Sequence, residues 1–460
     1  MDWWPSRQAA KSSGGKSFMT LDYLLSLLEN KISSITYDDF SFIIAKDVED
    51  LIRFSNNEIT VFATTENISI EIYIGKDKKR TIGETTNLDE QSISNFINLL
   101  SKQCADSPIN NDYTSLPPGP FNYDHKNMIN DELSIDHESM IDHVEVSINS
   151  ALKAGASRVS GSFTSSKSEI LLKTSNGTEL TDKYNTNLLN LRAFSTTNSS
   201  GHGLSCSSSI RDIDSENAGI KAGEYAKLSI NPKNCDIGKY DILFTPTVAA
   251  DIFQHVGYSA SAFSVDAGTS FLTNKINEKI SSDKLSITDV GNPINGIYGR
   301  IFDNEGMPTK STTIIKNGFM KSYLHNITTS NKYNVESTGN AGIIDPSCWN
   351  LDVSSGDMTF DEQLSSIKNG LLITNNWYTR FQNQILGLYS TIPRDACFVI
   401  KNGEISDSIH NIRISDNLPR QLLNIESLSK QREWIKWWEV EIPTLSPSVI
   451  INNVPITRSM

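Results

Sequence analysis

From about residue 265 to the C-terminus the chain carries almost no helical periodicity, and this constrains its fold more than any other feature. Apolar runs at 314–318, 319–324, 370–374, 397–403, 405–414 and 448–451 are separated by Gly, Asn and Pro turns, which is the pattern of short strands. One prominent helix precedes them. It is predicted over 246–263 after an apolar strand at 240–244, and Ala249, Ala250, Phe253, Val256, Gly257, Ala260 and Phe263 form its broad apolar face.

The first half reads differently. Amphipathic helices are predicted at 21–32, 91–103, 131–154 and 215–230, with strands at 40–45, 59–63, 68–74, 80–83, 158–163, 169–174 and 188–195. Asn176-Gly177 marks a hairpin turn, 107–120 is a Pro-rich connection, and the Gly/Ser run 199–209 reads as a flexible or strand-edge segment. The expected class is therefore α+β. An N-terminal α/β domain of strands and amphipathic helices over 18–225 precedes a C-terminal β-rich domain with one prominent helix over 226–460, the boundary falling within 222–232. Residues 1–17 read as a disordered leader or tag. Their Gly15-Lys16-Ser17 triplet lacks the earlier glycine and the strand that a phosphate loop requires.

Charge and composition exclude several classes. Forty-one basic against 54 acidic residues leave a net charge of -13, which argues against a nucleic-acid partner needing a basic face. No window reaches the roughly 18 consecutive apolar residues of a membrane span. The five cysteines are scattered, with no CxxC or CxH spacing for a structural zinc, and the N-terminus has no apolar core of signal-peptide length. A reducing, cytoplasmic location is expected.

Candidate chemistry is sparse. His125, His137 and His143 cluster around one helix, but a spacing of six positions sets the last two about 120° apart, so the ordinary reading is a solvated helix face. Asp251 and His255 share a helical face at i and i+4; such a pair can chelate a divalent metal or serve as acid and base, or be an exposed ion pair. Cys397, at the start of an apolar strand, reads as a core residue. Trp434 and Trp438 would share a face if 430–439 were helical, either in the core or on a partner surface. No GxSxG elbow occurs.

Longer segments carry a family resemblance. The strand-to-helix start 240–251, the run Ala267-Gly268-Thr269-Ser270-Phe271-Leu272, the segments DNEGMPT (303–309), IIKNGFMKSYL (314–324), STGNA (337–341) and VIKNGE (399–404), then 412–417 and 422–425, follow one another in the order seen in the TldD/PmbA family. This chain resembles that family of modulators of gyrase-toxin and microcin processing across roughly 236–455, and more weakly before. The resemblance implies two branches. TldD-like chains carry HExxxH on the helix after the first strand of the second domain, with a cysteine near the C-terminus, as a zinc protease site. TldE (PmbA) chains lack these residues and pair with a TldD-like chain.

Here the corresponding stretch reads Phe253-Gln254-His255-Val256-Gly257-Tyr258. Phe253 and Tyr258 stand at the histidine positions and Gln254 at the glutamate position, while 431–443 has no cysteine. The resemblance thus implies a TldE-like subunit with no catalytic residues and no cofactor of its own. Zinc is expected in a TldD-like metalloprotease partner acting on unfolded or linear peptides. The alternatives are an active metallopeptidase with a variant site, around Asp251 and His255, or a homodimeric peptide-binding or structural protein. Phe253 and Tyr258 are expected to fill the lost site, with 434–438 beside them. Asp303, Glu305, Gly339 and Asn340 are expected on a peptide groove or interface.

Overall fold

The computed structural model describes residues 20–125, 137–293, 296–342 and 344–458. The expected leader at 1–17 and the first part of the helix expected at 131–154 lie outside them.

The first half comprises α1 (Leu21–Ile32), β1 (Asp39–Ser55), β2 (Glu58–Lys76), β3 (Lys79–Thr85), α2 (Glu90–Asp106), α3 (His137–Ala154), β4 (Arg158–Thr174), β5 (Glu179–Thr196), β6 (Ser199–Ser207) and α4 (Ser215–Leu228). Its six strands form one sheet in the order β3-β2-β1-β4-β5-β6, antiparallel at every pairing. Alternation along β1 divides the core. Phe42 and Ile44 pack under α1 and α2, whereas Ile43 faces the opposite side, where it meets Ile301 and Phe302 from the second half. The strands are far longer than the apolar runs suggest, because polar residues such as Ser165 and Ser168 continue the ladder between apolar ones.

The Gly/Ser run is an ordered edge strand. Gly201 and Gly203 lie against the backbone of α4, where a Cβ would come within 2.2 and 2.1 Å of the carbonyls of Ala222 and Ala218. Small residues on both elements let helix and strand approach that closely.

The second half contains β7 (Lys233–Asn234), β8 (Gly238–Phe244), α5 (Pro246–Ser259), α6 (Ala262–Asp266), β9 (Ile287–Val290), β10 (Ser311–Lys316), β11 (Phe319–Met320), α7 (Ile327–Tyr333), β12 (Leu351–Val353), α8 (Phe360–Ser366), β13 (Asn369–Asn383), β14 (Leu388–Lys401), β15 (Glu404–His410), β16 (Ile412–Asn417), α9 (Leu418–Leu423), β17 (Ile425–Trp437) and β18 (Val440–Arg458). These twelve strands form a second sheet, mixed in direction, with β8 between β18 and β13. The whole is α+β. Strand outweighs helix after residue 270, and α5 is the longest helix of this half.

Two elements depart from expectation. The helix expected through Phe263 stops at Ser259, since the Ala260 amide turns back to Val256 and Gly257 while Ser261 bridges to Leu324, and α6 then restarts. The tryptophan segment is not helical. Ile435 and Trp437 are buried while Trp434 and Lys436 are partly exposed, a period of two, and a two-residue turn at Trp438-Glu439 joins β17 to β18.

Contacts between the halves are polar as well as apolar. The Asp395 carboxylate is buried and accepts from Arg192 Nε at 2.9 Å, Ser200 Oγ at 2.7 Å and Asn375 Nδ2 at 2.7 Å, with Arg192 holding its pKa below the usual value against the cost of burial. His202 in β6 packs 4.7 Å from the Trp437 ring and donates through Nε2 to Asn190 Oδ1 at 2.8 Å. Burial pulls its pKa down to about 4 from 6.5. The unfolded chain therefore takes up this proton at higher pH than the native one. Stability should fall as pH drops from about 6.5 toward 4, by about 3 kcal/mol from this group at most. Urea unfolding across that window should show a shallower slope for His202→Asn than for the parent; an unchanged slope contradicts the assignment.

Candidate functional site

The site is built around α5, which the sheet surrounds so closely that Val248 to Gln254 are all buried. Asp251, Gln254, His255 and Tyr258 recur at i, i+3, i+4 and i+7, a single face directed at β13 and the β17–β18 turn. Gln254 is the centre of this face. Its Nε2 donates to Asp251 Oδ1 at 2.8 Å and to the Glu439 carbonyl at 2.6 Å, and its Oε1 accepts from the Glu441 amide at 2.9 Å. The side-chain amide thus uses both N–H groups and its oxygen.

The neighbours are equally committed. Asp251 Oδ2 accepts from Asn376 Nδ2 and Thr379 Oγ1. Glu439 Oε1 accepts from the Thr379 amide at 2.6 Å and lies 3.5 Å from Arg380; burial raises its pKa to about 6. The Tyr258 hydroxyl donates to Glu441 Oε2 at 2.9 Å. His255 Nε2 lies 3.8 Å from Asp251 Oδ1, beyond hydrogen-bond reach, and burial lowers the imidazole pKa and favours its neutral form. Asp251 is buried and His255 only partly exposed at the edge of a cleft, so the two do not form an exposed ion pair.

Tyr258 stands between two clefts. One, about 390 Å³, is walled by His255, Ser264, Thr269, Arg380 and Phe381. The other, about 300 Å³, has Tyr184, Tyr298, Arg300, Trp349 and Glu441 around it.

Phe253 belongs to neither cleft. It is fully buried in the main core of the second sheet with Ala249, Val256 and Ala260. Positions five apart lie about 140° apart on a regular α-helix, and α5 is regular here. Phe253 and Tyr258 consequently do not fill one site together, contrary to expectation. Trp437 does pack beside the helix, against Ala250.

The expected groove residues are interior. Asp303 and Asn340 have no exposed surface, Glu305 is 2% exposed, and Gly339 is buried. Asp303 accepts amides from Glu305, Met307 and Ala341, Glu305 Oε2 accepts the Ile327 amide, and the Gly339 carbonyl accepts from Trp349 Nε1. Asn340 Nδ2 donates to the Ser347 carbonyl at 2.9 Å and to Asp289. They tie together the loops that carry Arg300 and Trp349, and they line neither of the two clefts beside Tyr258.

The other candidates resolve singly. His137 is exposed on its helix face and donates to Asp50 at 2.8 Å, while the partly buried His143 meets Ser215 at 3.0 Å, so the two histidines serve different neighbours. Cys397 is core. Sequence reasoning missed Glu439, Arg380, Asn376 and Arg300. Of these only Asn376 left a signal, as part of the polar Thr374-Asn375-Asn376 run interrupting an otherwise apolar strand.

Known proteins share this architecture. Residues 237–458 match the PmbA/TldA metallopeptidase C-terminal domain. A metalloprotease of Methanocaldococcus jannaschii is 28% identical over 225 residues, 47% of this chain and 49% of its own. A metalloprotease PmbA homolog of Buchnera aphidicola is 31% identical over 218 residues, 47% of each chain. The chain spans about half the length of the curated relatives it matches. The crystal structure of TldE from Thermococcus kodakarensis superposes with a TM-score of 0.82 at 19% identity, covering 95% of this chain and 99% of that one, a likeness of fold. The class is that of metallopeptidase-related proteins. Residues 237–458 of this chain belong to the TldD/PmbA family.

The zinc that this family implies does not fit the residues present. Phe253 is in the core, the Gln254 amide is saturated, and the Asp251 oxygens are occupied by donors. Among the described residues no three His, Cys, Asp or Glu side chains converge.

Two substitutions check this geometry. Gln254→Glu would turn two donors into acceptors facing Asp251 and the Glu439 carbonyl. A loss of about 2–4 kcal/mol is expected near pH 8, shrinking near about pH 5 as the buried carboxyl protonates. Equal losses at both pH values in urea unfolding would contradict the clamp. Phe253→Ala should cost about 3–5 kcal/mol in the same assay; a loss near zero would contradict its place in the core.

Proposed function

We propose that this chain is a non-catalytic, TldE-type subunit that pairs with a TldD-like metalloprotease in the cytoplasm and takes part in processing unfolded or linear peptides. The observation that carries this reading is the Gln254 amide. A general base at that position needs a free lone pair beside a metal-bound water, whereas this side chain closes three hydrogen bonds, one to Asp251 on α5 itself and two to the backbone of Glu439 and Glu441. Zinc and the peptide-bond chemistry belong, on this reading, to the partner.

Retention of such a chain has a physical rationale. Binding energy on one subunit can orient a substrate for chemistry on the other. The two clefts beside Tyr258 offer surface for that purpose on the helix face that the resemblance associates with catalysis.

The test is native purification from the source cells with metal analysis and a casein cleavage assay. Recovery of an HExxxH-bearing chain supports the reading, together with sub-stoichiometric zinc and no cleavage by this chain alone. Stoichiometric zinc that disappears on His255→Ala would overturn it in favour of a variant active site. A pure homodimer would favour a binding or structural role.

A further inference from the structure

The cleft on the far side of Tyr258 from His255 has a feature that packing does not account for. Arg300 sits in its wall with only 9% of its side chain exposed, and its Nε and Nη2 have no hydrogen-bond partner among the described residues. The nearest carboxylate, Asp182, is 3.9 Å from Nε, and its Oδ2 accepts the Ile301 amide at 2.8 Å instead. A buried donor left without an acceptor is costly, and a guanidinium presents its donors as a planar fork matched to a carboxylate.

The walls are aromatic. The Arg300 guanidinium lies 5.4 Å from the ring centre of Trp349 in the wall and 4.9 Å from that of Phe302, which is buried in the core and does not line the cleft. Tyr184 and Tyr298 meet edge to face at 5.4 Å. Tyr298 is held at φ 56°, a left-handed backbone that a bulky residue adopts only when its surroundings enforce it. Glu441 stands at the cleft and accepts from Tyr258, so the site joins one buried cation to aromatic faces and an acidic neighbour.

We propose that this cleft of about 300 Å³ binds a carboxylate carried on a flat apolar or aromatic body, with Arg300 as the anion-binding residue. A monoanion fits the charge balance better than a phosphate. Asp182 behind the guanidinium and Glu441 beside the cleft offset Arg300 and Lys436, whose Nζ lies 5.4 Å from the Tyr298 ring centre, so a dianion would bring two uncompensated charges where a monoanion brings one. The carboxylate is either a free aromatic acid or the C-terminus of a peptide. The inference concerns this chain alone and stands whether or not a protease partner exists.

Titration of the full chain, followed by Trp fluorescence and by ligand-observed NMR, tests it. The probes are 3-phenylpropionate, N-acetylphenylalanine, its amide, a pentapeptide ending in Phe, and phenyl phosphate. The acids should bind saturably, with the amide and phenyl phosphate about tenfold weaker or worse. Binding by the pentapeptide but not by 3-phenylpropionate assigns the site to peptide C-termini; the reverse assigns it to free acids. Arg300→Gln should abolish acid binding. Glu441→Gln should tighten it about threefold by removing a like charge. The acid–amide difference and the Glu441→Gln gain decide independently of whether Arg300→Gln folds. No binding by any acid, equal binding of acid and amide, tighter binding of phenyl phosphate, or indifference to Glu441→Gln would each overturn the proposal.

Discussion

A single side-chain amide joins the parts on which the rest of this structure depends. Gln254 leaves the middle of α5 and closes hydrogen bonds to Asp251 on its own helix and to the backbone of Glu439 in the β17–β18 turn and of Glu441 at the start of β18. That turn heads β18, which pairs with β8, β12, β16 and β17. The amide therefore couples the central helix to the most extensively paired strand of the sheet. Buried polar groups are tolerable only when fully satisfied, and here the satisfaction is nearly complete: Asp251, Asn376 and Thr379 form the next ring of donors and acceptors.

The same arrangement bears on function. Where a catalytic relative would need an open coordination position, this chain has a closed polar knot, and the groups that remain near solvent are displaced to either side of it. Tyr258 forms part of both clefts, and its hydroxyl is held by Glu441. On one side the recognition chemistry is a neutral imidazole with Arg380 and Phe381; on the other it is a buried guanidinium among aromatic rings. Neither requires a metal held by this chain.

Much of the fold was legible in the residues. Helical periodicity located α1, α2 and α4 closely, and the absence of that periodicity after residue 265 pointed to a β-rich second half. The strands were under-read, because ladder hydrogen bonds carry polar residues that break the alternation. The Gly/Ser run of β6 looked flexible for a related reason: its glycines answer to the backbone of α4, a contact between elements distant in the chain. Trp434–Trp438 failed as a helix because aromatic residues at i and i+4 satisfy both periods until the turn at Trp438-Glu439 is known. The DNEGMPT and STGNA segments marked the family but not a groove. Their carboxylates and amides bond to loop backbones, and the interior position of Asp303 and Asn340 follows from that.

The sequence by itself determined which chemistry the central helix can offer. Phe at 253, Gln at 254 and Tyr at 258 are not the two histidines and the glutamate that the resemblance implies for a TldD-like chain, wherever the helix lies, since side-chain chemistry does not depend on packing. What only the tertiary structure decided is where those groups point and whom they meet. The regular winding of α5 sends Phe253 into the core and Tyr258 to the clefts. The β17–β18 turn brings Glu439 and Glu441 to Gln254 from nearly two hundred residues away. Arg300, unremarked in a loop, acquires its character only because the two sheets bury it without giving its guanidinium an acceptor. Such contacts are set by chain segments far apart in sequence, and a local pattern of residues cannot encode them.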